Sequence, residues 1–418
     1  MDKMRIRGGK PLQGIVKVSG AKNAALPILF ASLLTEGACR FRRVPNLQDV
    51  RTTVKLLESM GVGLAGSLAQ NEVTLTARSL NSYEAPYDLV RTMRASVVVL
   101  GPLLGRFGQA KVSLPGGCAI GARPINFHLT GLEKLGAKIE LENGYVIASA
   151  KRLQGARVAL EFPSVGATEN ILMAAVLAKG ETQIENCARE PEIADLAEAL
   201  RAMGAEIEGE GTETIRIQGK DSLHGCDYEV MGDRIEGGTF LAAALATQGS
   251  VKVEGLSPHC LEAVLVKFEE SGAKIIRHEN AIELVSQGRP TGVDFSTAPY
   301  PGFPTDMQAQ FMAAMVVAEG ASLVSETIFE NRFMHVPELS RLGADITIRG
   351  NTALVRGKGK LVGAPLMATD LRASASLILG GLCAGGETIV DRIYHLDRGY
   401  ESMESKLKAL GADVERIK

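Results

Sequence analysis

A glycine-rich run, Ser113-Leu114-Pro115-Gly116-Gly117-Cys118-Ala119-Ile120-Gly121-Ala122-Arg123-Pro124, sets one thiol beside one guanidinium. Glycines leave such a loop free to close over a ligand, and an arginine nearby lowers a thiol's pKa, so Cys118 is a candidate for chemistry. A single cysteine is also an ordinary small core residue, and both readings stand at this point. Pro304-Thr305-Asp306 places a carboxylate at a predicted helix start, where it is either functional or an N-cap. Arg332 (in Glu330-Asn331-Arg332-Phe333) and Arg398 (in Asp397-Arg398-Gly399-Tyr400) fall in predicted loops. The planar fork of arginine suits carboxylate and phosphate, although most surface arginines only face water.

The elements that must carry these side chains recur. Helix-end signals of the form apolar-Gly, each followed by an extended tail, close at Gly61, Gly136, Gly204, Gly272, Gly343 and Gly411, 68–75 residues apart. Each predicts an amphipathic helix stopped by glycine in the left-handed conformation, then a strand. A second series of small-residue apolar stretches interleaves with the first and closes at Gly37, Gly108, Gly180, Gly249, Gly320 and Gly386. Those stretches have no polar face and predict helices buried on nearly all sides. Two series in step imply six copies of one α/β unit, three in each of two domains.

About four helical turns back from each closing glycine of the second series stand Lys22-Asn23, Arg94, Ser164, Arg234, Asp306 and Arg372. Helix N-termini carry unpaired N–H groups and a partial positive charge, so a set of them suits an anionic ligand. Capping and solvation account equally well for any one of these residues.

Composition bounds the function. The chain has 418 residues, 46 Lys plus Arg against 48 Asp plus Glu, and an ordinary share of apolar residues, 45%. Near-neutral charge points away from nucleic-acid or membrane partners and leaves small anions open. The six cysteines lie far apart with no CxxC pair, which fits a reducing cytosol rather than a disulfide framework or a zinc site. No signal-peptide core, membrane span, Rossmann fingerprint, Walker motif or HExxH occurs, so no metal or nicotinamide site is expected.

SGAKNAALPILFASLL, YDLVRTMRAS, LPGGCAIGARP, REPEI, FPTDMQAQF, FENRFMHVPELSRLGA, MATDLRASASL and DRIYHLDRGYE closely resemble the UDP-N-acetylglucosamine 1-carboxyvinyltransferases of the enolpyruvyl transferase family, from Met1 to the C-terminus. The resemblance implies a two-domain inside-out α/β barrel built from six repeated units. One domain would span 22–229, the other 1–21 with 230–418, and the active site would lie in the cleft between them with the Cys118 loop as a lid. It implies transfer of the enolpyruvyl group of phosphoenolpyruvate to a hydroxyl of UDP-N-acetylglucosamine, without a cofactor, in the cytoplasm, as the first committed step of peptidoglycan precursor synthesis.

By the same resemblance, Lys22, Cys118, Asp306 and Arg398 are catalytic. Cys118 would be proton donor to the methylene carbon and the target of fosfomycin, and Asp306 would face the sugar 3-hydroxyl. Lys22, Arg123, Arg332 and Arg398 would hold phosphoenolpyruvate. Asn23, Arg94, the run Arg123, Pro124, Ile125, Asn126 and Phe127, the run Ser164, Val165 and Gly166, and Ile328 would contact substrate, with Asp370 and Arg372 as further site residues. Asn126 stands where the family commonly has Asp, Gly232 and Gly237 replace bulkier residues, and Phe162-Pro163 precedes Ser164 where some members have Lys-Val. A 3-phosphoshikimate 1-carboxyvinyltransferase would share fold and donor but not the PGGCAIGARP loop, and a non-catalytic UDP-sugar-binding paralogue is a third reading.

Overall fold

Every apolar-Gly signal becomes a helix stop. Gly61, Gly136, Gly204, Gly272, Gly343 and Gly411 all have φ between +92° and +100°, a conformation that costs glycine little and an L side chain much. The computed structural model describes residues 2–91, 93–114 and 125–418, which divide into two compact units, 20–231 and the pair of segments 2–19 and 232–418. Each has its own hydrophobic core.

In chain order, the 20–231 unit contributes α1 (Lys22–Ala31), α2 (Gln48–Ser59), the one-turn α3 (Tyr87–Val90), α4 (Leu100–Phe107), α5 (Asn126–Lys134), α6 (Val165–Ala175) and α7 (Pro191–Ala202). The other contributes α8 (Arg234–Ala246), α9 (Glu262–Glu270), α10 (Gln308–Met315), α11 (Val336–Arg341), α12 (Leu371–Cys383) and α13 (Met403–Ala409). The apolar series supplies the central helices α1, α4, α6, α8, α10 and α12. Every residue of α8 and of α10 is buried. The helices closed by the first series, α2, α5, α7, α9, α11 and α13, keep one face in solvent.

Among the described residues, six four-stranded sheets share one plan: a parallel pair followed by two antiparallel pairings. In one, Arg157–Ala159 runs parallel to Glu181–Glu185, which pairs antiparallel with Thr214–Gln218, and that strand with Glu206–Glu208. Alternate strand residues are buried, so each sheet turns one face to the central helices and one to water. Remote strands complete three sheets. Asp227–Glu229 runs parallel to Cys39–Arg42, Gln13–Lys17 runs parallel to Ser250–Glu254, and Lys3–Arg7 lies between Glu387–Asp391 and Asp413–Ile417. The fold is thus the inside-out α/β barrel, three units at a time.

Two central helices start differently from the sequence expectation. Arg94–Val99 and Thr305–Met307 are 3-10 turns leading into α4 and α10. Pro102 has no N–H to bond the carbonyl four residues back, and the Ser96 hydroxyl donates to Met93 O at 2.7 Å, so the tighter winding takes over upstream of α4. No helix among the described residues is long and apolar enough to cross a membrane.

Close approach of helices rests on missing side chains. Gly237, inside α8, has Leu256 Cδ2 only 2.6 Å from where a Cβ would sit. Gly101 and Gly105 of α4 face the backbone of α6: a Cβ on Gly101 would come within 2.2 Å of Asn170 O, and the Gly101 N–H donates to Asn170 Oδ1. Because the obstacle at Gly101 is backbone rather than a flexible side-chain tip, Gly101→Ala is expected to destabilise the chain by about 1–3 kcal/mol. Urea denaturation checks this, and an unchanged midpoint would show that α4 and α6 separate freely.

Candidate active-site residues

The charged residues at the starts of the central helices are paired rather than left to water. In the 20–231 unit, Lys22 opens α1 and its Nζ lies 3.7 Å from Asp49 Oδ2 in the first turn of α2, with both side chains largely buried (13% and 6% exposed). Asn23 follows it, half-buried. Ser164 is the N-cap of α6, its hydroxyl accepting from Ala167 N at 3.4 Å, with Val165 and Gly166 forming the first turn.

Three segments converge around His128 in α5. A Cβ on Gly166 would lie 3.0 Å from His128 Cε1, Asn170 Nδ2 donates to His128 Nδ1 at 2.9 Å, and Arg94 acts on its charge. Asn170 also donates to Val97 O at 3.1 Å, which fixes its amide orientation and leaves the His128 proton on Nε2. The structure therefore brings Arg94 and Gly166 together at His128 in the first turn of α5, which Ile125 precedes and Asn126 and Phe127 open. Asn126 and Phe127 line a groove with Val158, Leu160 and Lys134. Cys118, Arg123 and Pro124 lie outside the described residues.

The other unit holds a second group. Asp306 does not cap α10. Its Oδ1 accepts Arg332 Nη2 at 2.7 Å and its Oδ2 accepts Arg372 Nη2 at 2.9 Å. The N-cap reading of Asp306 fails because its 3-10 turn begins at Pro304 without a side-chain cap, which leaves the carboxylate to the arginines. The capping is done elsewhere: Asp370 accepts from Arg372 N and Ala373 N at 2.9 and 3.0 Å, and Asp233 accepts from Ile235 N and Glu236 N, both at 2.9 Å. Asp370 thereby fixes the turn from which Arg372 projects. Burial opposes the charge of Arg372, but Asp306, Tyr400 and Asp233 outweigh it and hold the guanidinium protonated.

Arg398 ends the 3-10 turn Ile393–Arg398, which packs on α12; burial first and Arg398 second lower the pKa of His395, against the pull of Asp370. Ile328 donates its N–H to Glu326 Oε1 at 2.9 Å.

Several residues of these groups were not singled out from sequence. Tyr400, 1% exposed, bonds Thr239 Oγ1 at 2.9 Å and accepts Gln310 Nε2 at 3.0 Å, and Gln310 Nε2 reaches Asp306 O at 2.8 Å. Glu169 lies inside apolar α6, where burial first, then Glu192 and Glu190, push its carboxyl well above the usual range. A glutamate amid GATENILMAA was the available signal. Glu236 is likewise pushed up to about 7, by burial against the opposing pull of Lys406 at 2.5 Å.

The family model for EPSP synthase (3-phosphoshikimate 1-carboxyvinyltransferase) matches residues 6–407. Proteins of Idiomarina loihiensis and Geobacter metallireducens named UDP-N-acetylglucosamine 1-carboxyvinyltransferase are each 58% identical over 418 residues, covering 100% of both chains. The enolpyruvyl transferase NikO from Streptomyces tendae superposes with a TM-score of 0.88 at 25% identity, covering 99% of this chain and 98% of that one. An EPSP synthase from Acinetobacter baumannii shares the fold at a TM-score of 0.79 and 18% identity, with 100% of both chains covered.

His128 supplies a pH test. Burial first, and Arg94 second, lower its pKa from 6.5 to about 4. The native state keeps it neutral while the unfolded chain protonates it, so its contribution is complete above about pH 6.5 and lost as pH falls toward 4, on the order of 3 kcal/mol in all. His128→Gln keeps an acceptor for Asn170 and removes the titration. Its urea midpoint is expected to fall less steeply than that of the parent between pH 6.5 and 4, and parallel curves would refute a neutral buried His128. His335, lowered to about 4 mainly by burial, retains its share of the slope in both proteins.

Proposed function

Because this chain belongs to the EPSP synthase family of enolpyruvyl transferases, we propose that it transfers the enolpyruvyl group of phosphoenolpyruvate to the 3-hydroxyl of UDP-N-acetylglucosamine and releases phosphate. The observation that carries the reading is the 58% identity, without loss of either chain's ends, to enzymes named for that acceptor. The reaction is the entry to peptidoglycan precursors, and the enzyme works in the cytoplasm.

The proposed chemistry is addition followed by elimination. Protonation of C3 of phosphoenolpyruvate makes C2 electrophilic, and the sugar 3-oxygen attacks it as the hydroxyl proton leaves. The resulting tetrahedral phosphate ketal then loses a C3 proton and its C2–O bond to phosphate, which restores the enol ether. Cys118 supplies the C3 proton, and Asp306 takes the proton of the hydroxyl. Each carboxylate oxygen of Asp306 accepts one arginine bond, and a carboxylate oxygen can accept more than one hydrogen bond. Arg332 and Arg372 keep the carboxylate oriented and offset the negative charge that accumulates nearby.

Lys22, Arg123 and Arg398 hold the carboxylate and phosphate of phosphoenolpyruvate. Asn23, Arg94, the 123–127 run, Ser164 to Gly166 and Ile328 hold the nucleotide sugar. The surroundings of His128 support this assignment, since Arg94 and Gly166 meet there in the first turn of α5. Asn126, lacking the carboxylate common in the family, accepts through its amide oxygen and donates through its nitrogen.

Phosphate release from phosphoenolpyruvate is expected with UDP-N-acetylglucosamine and not with shikimate 3-phosphate, and fosfomycin is expected to abolish it. Turnover with shikimate 3-phosphate alone would transfer the chain to the other branch, and binding of the nucleotide sugar without turnover would leave a non-catalytic binder. Asp306→Ala is a poor probe of the base, because it strands two buried guanidinium groups. Asp306→Asn keeps one acceptor, and kcat is expected to fall by about 10²-fold or more while stability falls by about 1–3 kcal/mol. Wild-type kcat in that variant would remove Asp306 from proton transfer.

A further inference from the structure

Glu326, one residue past the strand Ala321–Ser325, is 2% exposed and has both oxygens occupied. Oε1 accepts Thr297 Oγ1 at 2.9 Å, Ile328 N at 2.9 Å and Phe329 N at 3.1 Å. Those bonds organise the turn at 327–329 and would be present in any buried turn-capping glutamate. Oε2 does something different: it accepts Thr305 Oγ1 at 2.9 Å. A threonine hydroxyl has one proton, so once that proton points at Glu326 its lone pairs face outward. Arg332 Nη1 donates to them at 2.9 Å, and Nη2 of the same guanidinium donates to Asp306 Oδ1 at 2.7 Å. Phe329, fixed by Glu326 through its N–H, has its ring 5.2 Å from Arg332 Cζ. Both the hydroxyl and the ring that hold Arg332 therefore trace back to one carboxylate.

We propose that Glu326 and Thr305 are positioning residues: through the Thr305 hydroxyl, Glu326 fixes the fork of Arg332 and so the direction in which Asp306 presents its carboxylate to the acceptor hydroxyl. The proposal rests on the role given to Asp306 above. Planar forks lose specificity when one arm is released, because the guanidinium then rotates about its remaining bond. Glu326→Gln reverses the polarity of the chain. With its oxygen on the 328–329 N–H groups, the amide NH2 faces Thr305, whose oxygen then receives two donors while its own proton lacks the carboxylate. Thr305→Val deletes the relay and keeps the shape; Thr305→Ser keeps the relay.

Steady-state phosphate release from phosphoenolpyruvate and UDP-N-acetylglucosamine, with urea midpoints measured alongside, tests this. Thr305→Val and Glu326→Gln are expected to lose kcat by about tenfold or more, as misplaced catalytic groups do. Thr305→Val is expected to keep its KM for the nucleotide sugar within about threefold, and Thr305→Ser to stay near the parent in kcat. Thr305→Ala serves the same purpose if the valine does not fold. A lower urea midpoint with unchanged kcat would reduce Glu326 to a structural residue and overturn the proposal, as would a serine variant as slow as the valine. An active parent with unaffected variants would defeat this inference alone, whereas an inactive parent would defeat the functional reading and this inference with it.

Discussion

A helix sealed on every side can carry charge only at its ends, and there it must be neutralised. The structure depends on that constraint. An unpaired buried charge costs several kcal/mol, so each charged first turn of a central helix meets a partner from another element. Lys22 of α1 meets Asp49 of α2, Glu236 of α8 meets Lys406 of α13, and Arg372 of α12 meets Asp306 ahead of α10. Each pairing ties a core helix to something outside itself. The polar side chains are thus collected at helix starts, where backbone N–H groups are also unsatisfied.

The same constraint explains the repeat. Helices without a polar face have to be surrounded, and three of them packed on one another leave their outer flanks to be covered by sheets and amphipathic helices. Small residues let the axes approach, as Gly101 and Gly105 do for α4 against α6. Covering strands need not come from neighbouring sequence. Asp227–Glu229 and Lys3–Arg7 each complete a sheet begun far away in the chain, leaving no unit with a missing place in its sheet.

Local chemistry made much of this legible. Glycine at a helix stop, an apolar run without a polar face and a strand of alternating burial all act within a few residues, and six copies in step raised the signal above chance. What depends on distant partners was not legible. Asp306 reads as an N-cap in Pro-Thr-Asp, yet 26 and 66 residues separate it from the arginines that claim its oxygens. Ser164 reads the same way and does cap its helix. Tyr400, Thr239 and Gln310 share a hydrogen-bonded cluster that no spacing rule connects, and Glu326 looks like any polar residue after a strand. The 3-10 entries to α4 and α10 were missed because apolar periodicity does not separate a three-residue turn from a 3.6-residue one over so short a stretch.

Exposure within the Asp306 group is graded. The carboxylate is 26% exposed, and the two arginines are 6% and 4% exposed, so the acid stands at the surface with the bases behind it. Two guanidinium groups on one carboxylate leave a local excess of positive charge, which Asp233, acting on Arg372, and Glu326, behind Thr305, moderate from the protein side. Asp306 occupies Nη2 of each arginine, at 2.7 and 2.9 Å, while Nε and Nη1 of Arg372 are buried without a hydrogen-bond partner among the described residues. Charge-assisted bonds of that length are among the strongest available to a side chain. The carboxylate thus takes its direction from one nitrogen of each arginine, and the geometry that fixes Arg332 also fixes Asp306.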